Sequence, residues 1–224
     1  MRILAIETAT EVCSVAVTED KQLLSESTLT IPRKHAETLS PLIEQQFRFL
    51  PFSLDELDAI AVSIGPGSFT GLRIGLSTAK GLLFAQHTKL LAIPTLAASA
   101  WSVRNRVVQV QVLHHSHRDF FFFAVYNLRD GITALNSPVR AQFTDLENSL
   151  DTSIPLLVNR ADMLPQERIT TFNVLKTEGV RARHVASLGE AFSQRYEVEN
   201  SYMAEPDYLK KYEAVKFQNP LNNS

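Results

Sequence analysis

Apolar positions along the first half of the chain fall into short unbroken runs rather than alternating ones. Arg2–Thr8 (RILAIET) and Ala59–Ile64 (AIAVSI) are near-continuous apolar segments of strand length, the pattern of strands covered on both faces in a parallel sheet. Val12–Asp20 (VCSVAVTED) and Lys21–Leu29 (KQLLSESTL) read as two more strands joined by a turn at Glu19-Asp20-Lys21. A helical pattern runs from His35 to Leu50, with Pro41 expected to kink it because the ring removes one hydrogen bond. Ser53–Glu56 (SLDE) is a capping box and predicts a short helix. A further helix spans Thr70–Gln86, followed by a strand in LLAIP (Leu90–Pro94) and a helix through TLAASAWSV (Thr95–Val103).

The pattern then restarts. Strands are predicted at Val107–Leu113, Asp119–Tyr126 and Ile132–Val139, a helix at Thr144–Leu150, a strand at Pro155–Asn159 and a helix at Ala186–Glu197. Both halves open with antiparallel strands and pass to helices. We therefore expect an α/β molecule of two lobes, residues 1–103 and a smaller 104–224, with the final segment packing back on the first lobe. The polar tail KFQNPLNNS is expected to be loose.

Ser63–Leu82 (SIGPGSFTGLRIGLSTAKGL) holds five of the eight glycines. Gly65-Pro66-Gly67-Ser68 follows a strand and opens a helix, the place where backbone donors attract anions. It is not a P-loop, since no Lys-Ser/Thr pair follows the second glycine. In GPGSFTG the third glycine, Gly71, comes one residue too late for the dinucleotide fingerprint. Phosphate contact and a simple tight turn both remain open for this loop.

The helix that follows carries charge only at Arg73 and Lys80, which with Ser77 form one stripe. Gly71, Gly75 and Ala79 form a small-residue line, and Ser77, Gly81 and Ala85 another. A glycine inside a helix costs about 1 kcal/mol relative to alanine, so an offsetting close approach is expected. That approach is either to another polypeptide or to the chain's own core.

Composition adds limits. The chain has 224 residues, 45% hydrophobic and 21% charged, with a formal net charge of −2. Residues 1–100 carry 8 basic and 10 acidic groups, and the rest 14 and 14, so charge alone marks neither half as a polyanion-seeking surface. A single cysteine, Cys13, allows no internal disulfide and no cysteine-rich zinc site. No apolar run reaches the length of a membrane span. The start, MRILAIETAT, is interrupted by Glu7 and lacks a secretory pattern, so a cytoplasmic location is expected.

Four blocks in order, ILAIETATEVCSVAV, HAETLSPLI, SIGPGSFTGLRIGLSTAKGL with AIPTLAA, and EPDYLKK (Glu205–Lys211), closely resemble the TsaB (YeaZ) family. The resemblance is strong over residues 1–100, returns at 205–211 and is weak between. It implies a two-lobed actin/Hsp70/sugar-kinase-like (ASKHA, RNase H-like) fold with mixed sheets flanked by helices. It implies a catalytically silent partner of the TsaD transferase in forming threonylcarbamoyladenosine beside the tRNA anticodon. A small ATPase, TsaE, would join a ternary complex, tRNA would be met indirectly, and the chain alone could form a homodimer. ATP or ADP would belong to the complex rather than be required by this chain. The implied partner helices are His35–Leu50, with Leu39, Leu42 and Ile43, and Thr70–Gln86, with Gly71, Leu72, Arg73, Gly75, Leu76, Ala79 and Lys80.

Actin-like nucleotide sites place an acidic residue on the first strand beside a glycine-containing hairpin. This chain has Glu7-Thr8-Ala9-Thr10, without the glycine, so Glu7, Gly65 and Gly67 are weak nucleotide candidates. TsaD proteins carry a His-x-x-x-His metal pair where this chain has PTLAASAW (Pro94–Trp101), so no metal site and no catalytic residue is expected. No H-E-x-x-H stands behind a metallopeptidase alternative. His115 and His117 would share a strand face and could hold a metal, but the cluster His114–His117 reads first as an edge or turn. His35 marks a helix start, Cys13 a core position, and Phe120–Phe123 a core strand rather than a base-stacking platform. Lys210-Lys211 and Arg181-x-Arg183 read as solvated charge, with tRNA or partner contact the alternative for the lysine pair. The competing function is an independent actin-fold ATPase or small-molecule kinase.

Overall fold

The computed structural model describes residues 1–31, 33–84, 88–177 and 179–209. Strand β1 (Arg2–Glu7) pairs antiparallel with β2 (Cys13–Glu19), which pairs antiparallel with β3 (Gln22–Leu29). Asp20 and Lys21 form the two-residue turn with φ of 49° and 68°, the backbone that fits the right-handed twist of a hairpin. Helix α1 (His35–Phe47) continues through Pro41. The Ser53–Glu56 box makes a single 3-10 turn, with the Ser53 amide donating to the Glu56 carboxylate at 2.9 Å. Then come β4 (Ala59–Gly65), α2 (Phe69–Leu83), β5 (Lys89–Pro94) and α3 (Thr95–Trp101). Ala85 and Gln86, the expected end of the second helix, lie outside the described residues, as do Lys210, Lys211 and the tail.

The second half contains β6 (Gln109–His117), β7 (Phe120–Asn127), β8 (Thr133–Ala134), β9 (Val139–Gln142) and α4 (Phe143–Leu146). It continues with β10 (Leu156–Val158), α5 (Gln166–Ile169), β11 (Val174–Lys176), α6 (Ala182–Ala191) and α7 (Ser193–Tyr196). Two expectations are corrected. The histidine cluster is strand, not turn, because β6 extends to His117 and pairs His114 with Phe122 and His115 with Phe121. The last long helix starts four residues earlier than expected and breaks at Phe192, where φ is −136°.

The two sheets follow one plan. The first has the order β3-β2-β1-β4-β5, with β1 antiparallel to β2 and parallel to β4. The second runs β8-β7-β6-β10-β11, with β6 antiparallel to β7 and parallel to β10. One face of the first sheet packs on α1 and α2 through Leu4, Ile6, Leu39, Ile60 and Leu76. Its other face meets α3 and α6, which also receive Val110, Val112, Phe122 and Ala124 of the second sheet in one continuous core. Leu113, Phe121, Phe123 and Phe143 form a third cluster on the far face of the second sheet. Phe121–Phe123 is thus core strand on both faces, with Phe120 half-buried at its start, and Cys13 is buried. Helix α6 lies against β1 and β2, so the second half supplies a cover for the first sheet.

Candidate functional site

A cleft of about 640 Å³ opens where the two halves meet. Its walls are the turn after β1 (Ala9–Glu11), the glycine loop (Pro66–Ser68), the start of α1 at His35, and His114–Ser116 of β6. Asn159 and Arg160, just beyond β10, close it. Ser68 caps α2 by accepting from the Gly71 amide at 3.2 Å. The loop is bonded to the β1 turn in both directions: the Ser68 amide donates to the Ala9 carbonyl at 2.7 Å, and the Thr8 hydroxyl donates to the Gly71 carbonyl at 2.8 Å.

Glu7 lies beneath the cleft rather than on its wall. It is fully buried; its carboxylate accepts from the Ala9 amide at 2.7 Å and from the Ser63 hydroxyl. Burial pushes its pKa up to about 7. Gly65, at φ 122°, packs under the Asp207 carbonyl, and a Cβ on Gly67 would strike the Ala9 carbonyl. Of the three weak nucleotide candidates, only Gly67 borders the cleft.

The cations of the cleft come from distant segments. Arg160 is held by Glu11 at 2.7 Å and Asp162 at 2.8 Å, and Arg33 also lines the cleft. Nothing in the local sequence around Arg33, Glu11 or Arg160 announces this meeting; only the lobe arrangement makes it. The histidines do not converge. A bulge between His115 and His117 breaks the alternation that would put both on one face. His114 is buried, its Nε2 lies 2.9 Å from the Ser99 hydroxyl, and burial lowers its pKa to about 4. His115 Nε2 meets the Arg118 carbonyl at 2.7 Å. Among the described residues, no three His, Cys, Asp or Glu side chains are grouped to hold a metal.

The second feature is the outer surface of α1 and α2. Most of the expected contact residues are covered by the chain itself: Leu39, Leu42, Ile43, Leu72, Leu76 and Ala79 are buried in the core, as are Gly71 and Gly75. The close approach that the glycines permit is internal. A Cβ on Gly71 would collide with the Thr8 carbonyl, and one on Gly75 with the Thr8 hydroxyl. Arg73 and Ser77 face outward, and Gly81 has open space beside it.

A strap, residues 200–209, runs along this outer side of α2. Lys80 Nζ donates to the Tyr202 carbonyl at 2.7 Å, Arg73 Nε to the Tyr208 hydroxyl at 3.0 Å, and the Asp207 amide to the Ile64 carbonyl at 2.7 Å. The Arg73 guanidinium sits 4.0 Å from the centre of the Phe69 ring, which lies 4.7 Å from that of Tyr208. Phe84 (71% exposed), Tyr202 (62%) and Met203 (74%) stand uncovered around the far end of α2 and the start of the strap. The polar stripe read from the sequence faces outward, and Arg73 and Lys80 of that stripe tie the late segment down onto the first lobe.

Two sheets of one plan with helices between and outside them, and a cleft at their junction, define an actin-like ASKHA-type protein. An activator of 2-hydroxyisocaproyl-CoA dehydratase from Clostridium difficile, solved with bound ADPNP, shares this fold at a TM-score of 0.53 over 89% of this chain and 99% of its own, with 7% identity. A family model described as TsaD, tRNA N6-adenosine threonylcarbamoyltransferase, matches residues 22–130. YeaZ from Pseudomonas aeruginosa superposes with a TM-score of 0.78 and 26% identity over 92% of this chain and 99% of its own. The Escherichia coli tRNA threonylcarbamoyladenosine biosynthesis protein TsaB is 40% identical over 104 residues, 45% of each chain. The sequence match thus spans under half the length of that relative. The chain shares its sequence over the first half, and its fold over nearly the whole length, with the TsaB (YeaZ) proteins.

Proposed function

We propose that this chain takes part in the biosynthesis of threonylcarbamoyladenosine in tRNA, as a non-catalytic partner that supports a TsaD-type transferase. The observation that carries the reading is the state of Glu7 and the glycine loop. The acidic residue of the first strand is walled in and bonded to Ser63 and Ala9, and the loop amide of Ser68 is spent on the Ala9 carbonyl. These groups brace the lobe where a working kinase would present them to phosphate and metal. The partner surface is the outward side of α1 and α2 with the strap: Arg73, Lys80 and Ser77, flanked by the exposed Phe84, Tyr202 and Met203. Leu39, Leu42, Ile43, Gly71, Leu72, Gly75, Leu76 and Ala79 set the shape of this surface from beneath. A small ATPase of the TsaE type and tRNA would join through the transferase, a homodimer would use the same face, and the setting is the cytoplasm. No helix of the described residues is long and apolar enough to cross a membrane.

The test is reconstitution. Purified with a TsaD-type transferase, the chain is expected to form a complex and to be required for transfer of the threonylcarbamoyl group to tRNA. Transfer by this chain alone, or no complex with or without nucleotide, overturns the proposal. A second reading, an independent ATPase or small-molecule kinase, draws on the size of the cleft and on Arg33 and Arg160 in its walls. ATP turnover by the lone chain would favour it; failure to bind ATP would remove it.

A further inference from the structure

A second cavity, of about 500 Å³, lies on another side of the molecule and shares no lining residue with the cleft. It is bounded by the end of the β2–β3 hairpin (Thr18, Lys21, Leu23), the end of α3 (Trp101, Arg104) and one side of α6. The α6 residues are Arg183, His184, Ser187 and Glu190. This volume falls within the range of small-ligand pockets.

Its polar lining is made almost wholly of donors. Thr18 is only 5% exposed and its Oγ1 is sealed from solvent, so it shapes the wall without offering a donor to an occupant. Ser187 accepts from Trp101 Nε1 at 3.1 Å, which leaves its own proton to donate. His184 Nδ1 accepts from the Arg181 amide at 3.1 Å, so the neutral ring carries its proton on Nε2. Burial holds that ring neutral, with its pKa lowered to about 4. Arg104 rests 4.6 Å over the Trp101 ring and spends one donor on the Trp101 carbonyl at 3.0 Å, leaving further N–H groups of its fork. Lys21 adds an ammonium.

The remaining charges are accounted for. Glu190 accepts from the Lys21 amide at 3.0 Å, and Arg183 is paired with Glu26. The first amides of α6 are likewise occupied, Ala182 N by Ser14 Oγ at 3.2 Å and Arg183 N by Glu26 at 3.0 Å, so the anion affinity is a property of side chains, not of the helix end. Counting Lys21, Arg104 and Arg183 against Glu190 and Glu26, the site keeps a net positive charge.

The structure assigns to this cavity the binding of a phosphate monoester, its oxygens received by Ser187, His184, Arg104 and Lys21 and its apolar remainder lying over Leu23 and Trp101. A phosphate offers three strong acceptor oxygens, which matches this number of donors better than the two of a carboxylate. The phosphate could come from a free nucleotide or from the terminal phosphate of an RNA strand. The inference does not depend on the proposed partner role.

Calorimetric titration tests it, with adenosine monophosphate, a short 5′-phosphorylated RNA and acetate as probes of the full chain. Adenosine monophosphate or the phosphorylated RNA is expected to bind, and whichever binds identifies the source. Lys21→Gln and Arg104→Gln should each weaken binding about tenfold or more. Arg160→Gln, in the cleft, should leave it unchanged. Lys21 is exposed and bonds Glu190 through its backbone amide, so Lys21→Gln should melt within about 2 °C of the parent chain and weaker binding cannot be ascribed to unfolding. No binding of either phosphate probe, binding unaltered by both cavity variants, or acetate bound as tightly as the phosphates would overturn the assignment.

Discussion

Glu7 is a carboxyl group whose ionisation opposes folding. Its folded pKa of about 7 lies above the unfolded value of 4.5, so the folded chain holds the proton more tightly and stability falls as pH rises through that window. The full effect, at about 1.4 kcal/mol per unit, is on the order of 3 kcal/mol. His114 and His184 act in the opposite sense. Each is depressed from 6.5 to about 4, so their contribution is present above 6.5 and is lost as pH falls towards 4. Because two histidines outweigh one carboxyl, stability should rise from pH 4 and level off near pH 7, which urea unfolding across pH 5–8 would check. Glu7→Gln keeps an acceptor for the Ala9 amide and turns an N–H towards Ser63 in place of an acceptor; by removing the opposing carboxyl it should roughly double the rise in stability between pH 5 and 6. An unchanged slope in this variant would show that Glu7 does not oppose the histidines. The glycines of α2 offer a paired test. Gly75→Ala drives a Cβ into the Thr8 hydroxyl and should cost about 2 kcal/mol or more despite alanine's better helix propensity. Gly81→Ala meets open space and should stabilise by up to about 1 kcal/mol, both read from the urea midpoint.

Among the elements, the strap on α2 is held by few groups. Arg73→Glu removes the bond to Tyr208 and sets a carboxylate against the Phe69 ring. The expected result is faster amide exchange over residues 204–209, weaker binding to a TsaD-type partner, and an unchanged melting temperature within about 2 °C. Exchange confined to the strap with full partner affinity would remove Arg73 from the contact. The elements differ in how openly the sequence declares them. The strands β1 and β4 and the helix α2 were legible because each is long and apolar on the faces it buries. Strand β11 and helix α5 are three and four residues long, shorter than any period that could reveal them. The end of β6 was hidden because its inward position is filled by His114, a polar residue made acceptable by Ser99. The start of α6 was hidden because Arg181 and His184 form its first turn in place of a Ser, Thr, Asp or Asn cap. The strap is irregular, and irregular chain has no period.

For the whole molecule, the two-lobed plan was readable from the restart of the strand pattern, yet the meeting of its parts was not. The glycine block was visible as a site of close approach, but whether it approached a partner or Thr8 required the fold. The cleft combines Arg33, His114 and Arg160, and no spacing along the chain links them. The same is true of Thr18 and Ser187 in the second cavity.

Helix α6 has one more implication. It is encoded last among the long helices, yet it seals β1 and β2, the first strands made. A ribosome that has released only the first hundred residues therefore carries a sheet with one greasy side still bare. A gene truncated after Ser102 should yield insoluble protein, whereas separate expression of 1–102 and 103–224 in the same cell should rescue it by fragment complementation, scored as recovery of both pieces in the soluble fraction.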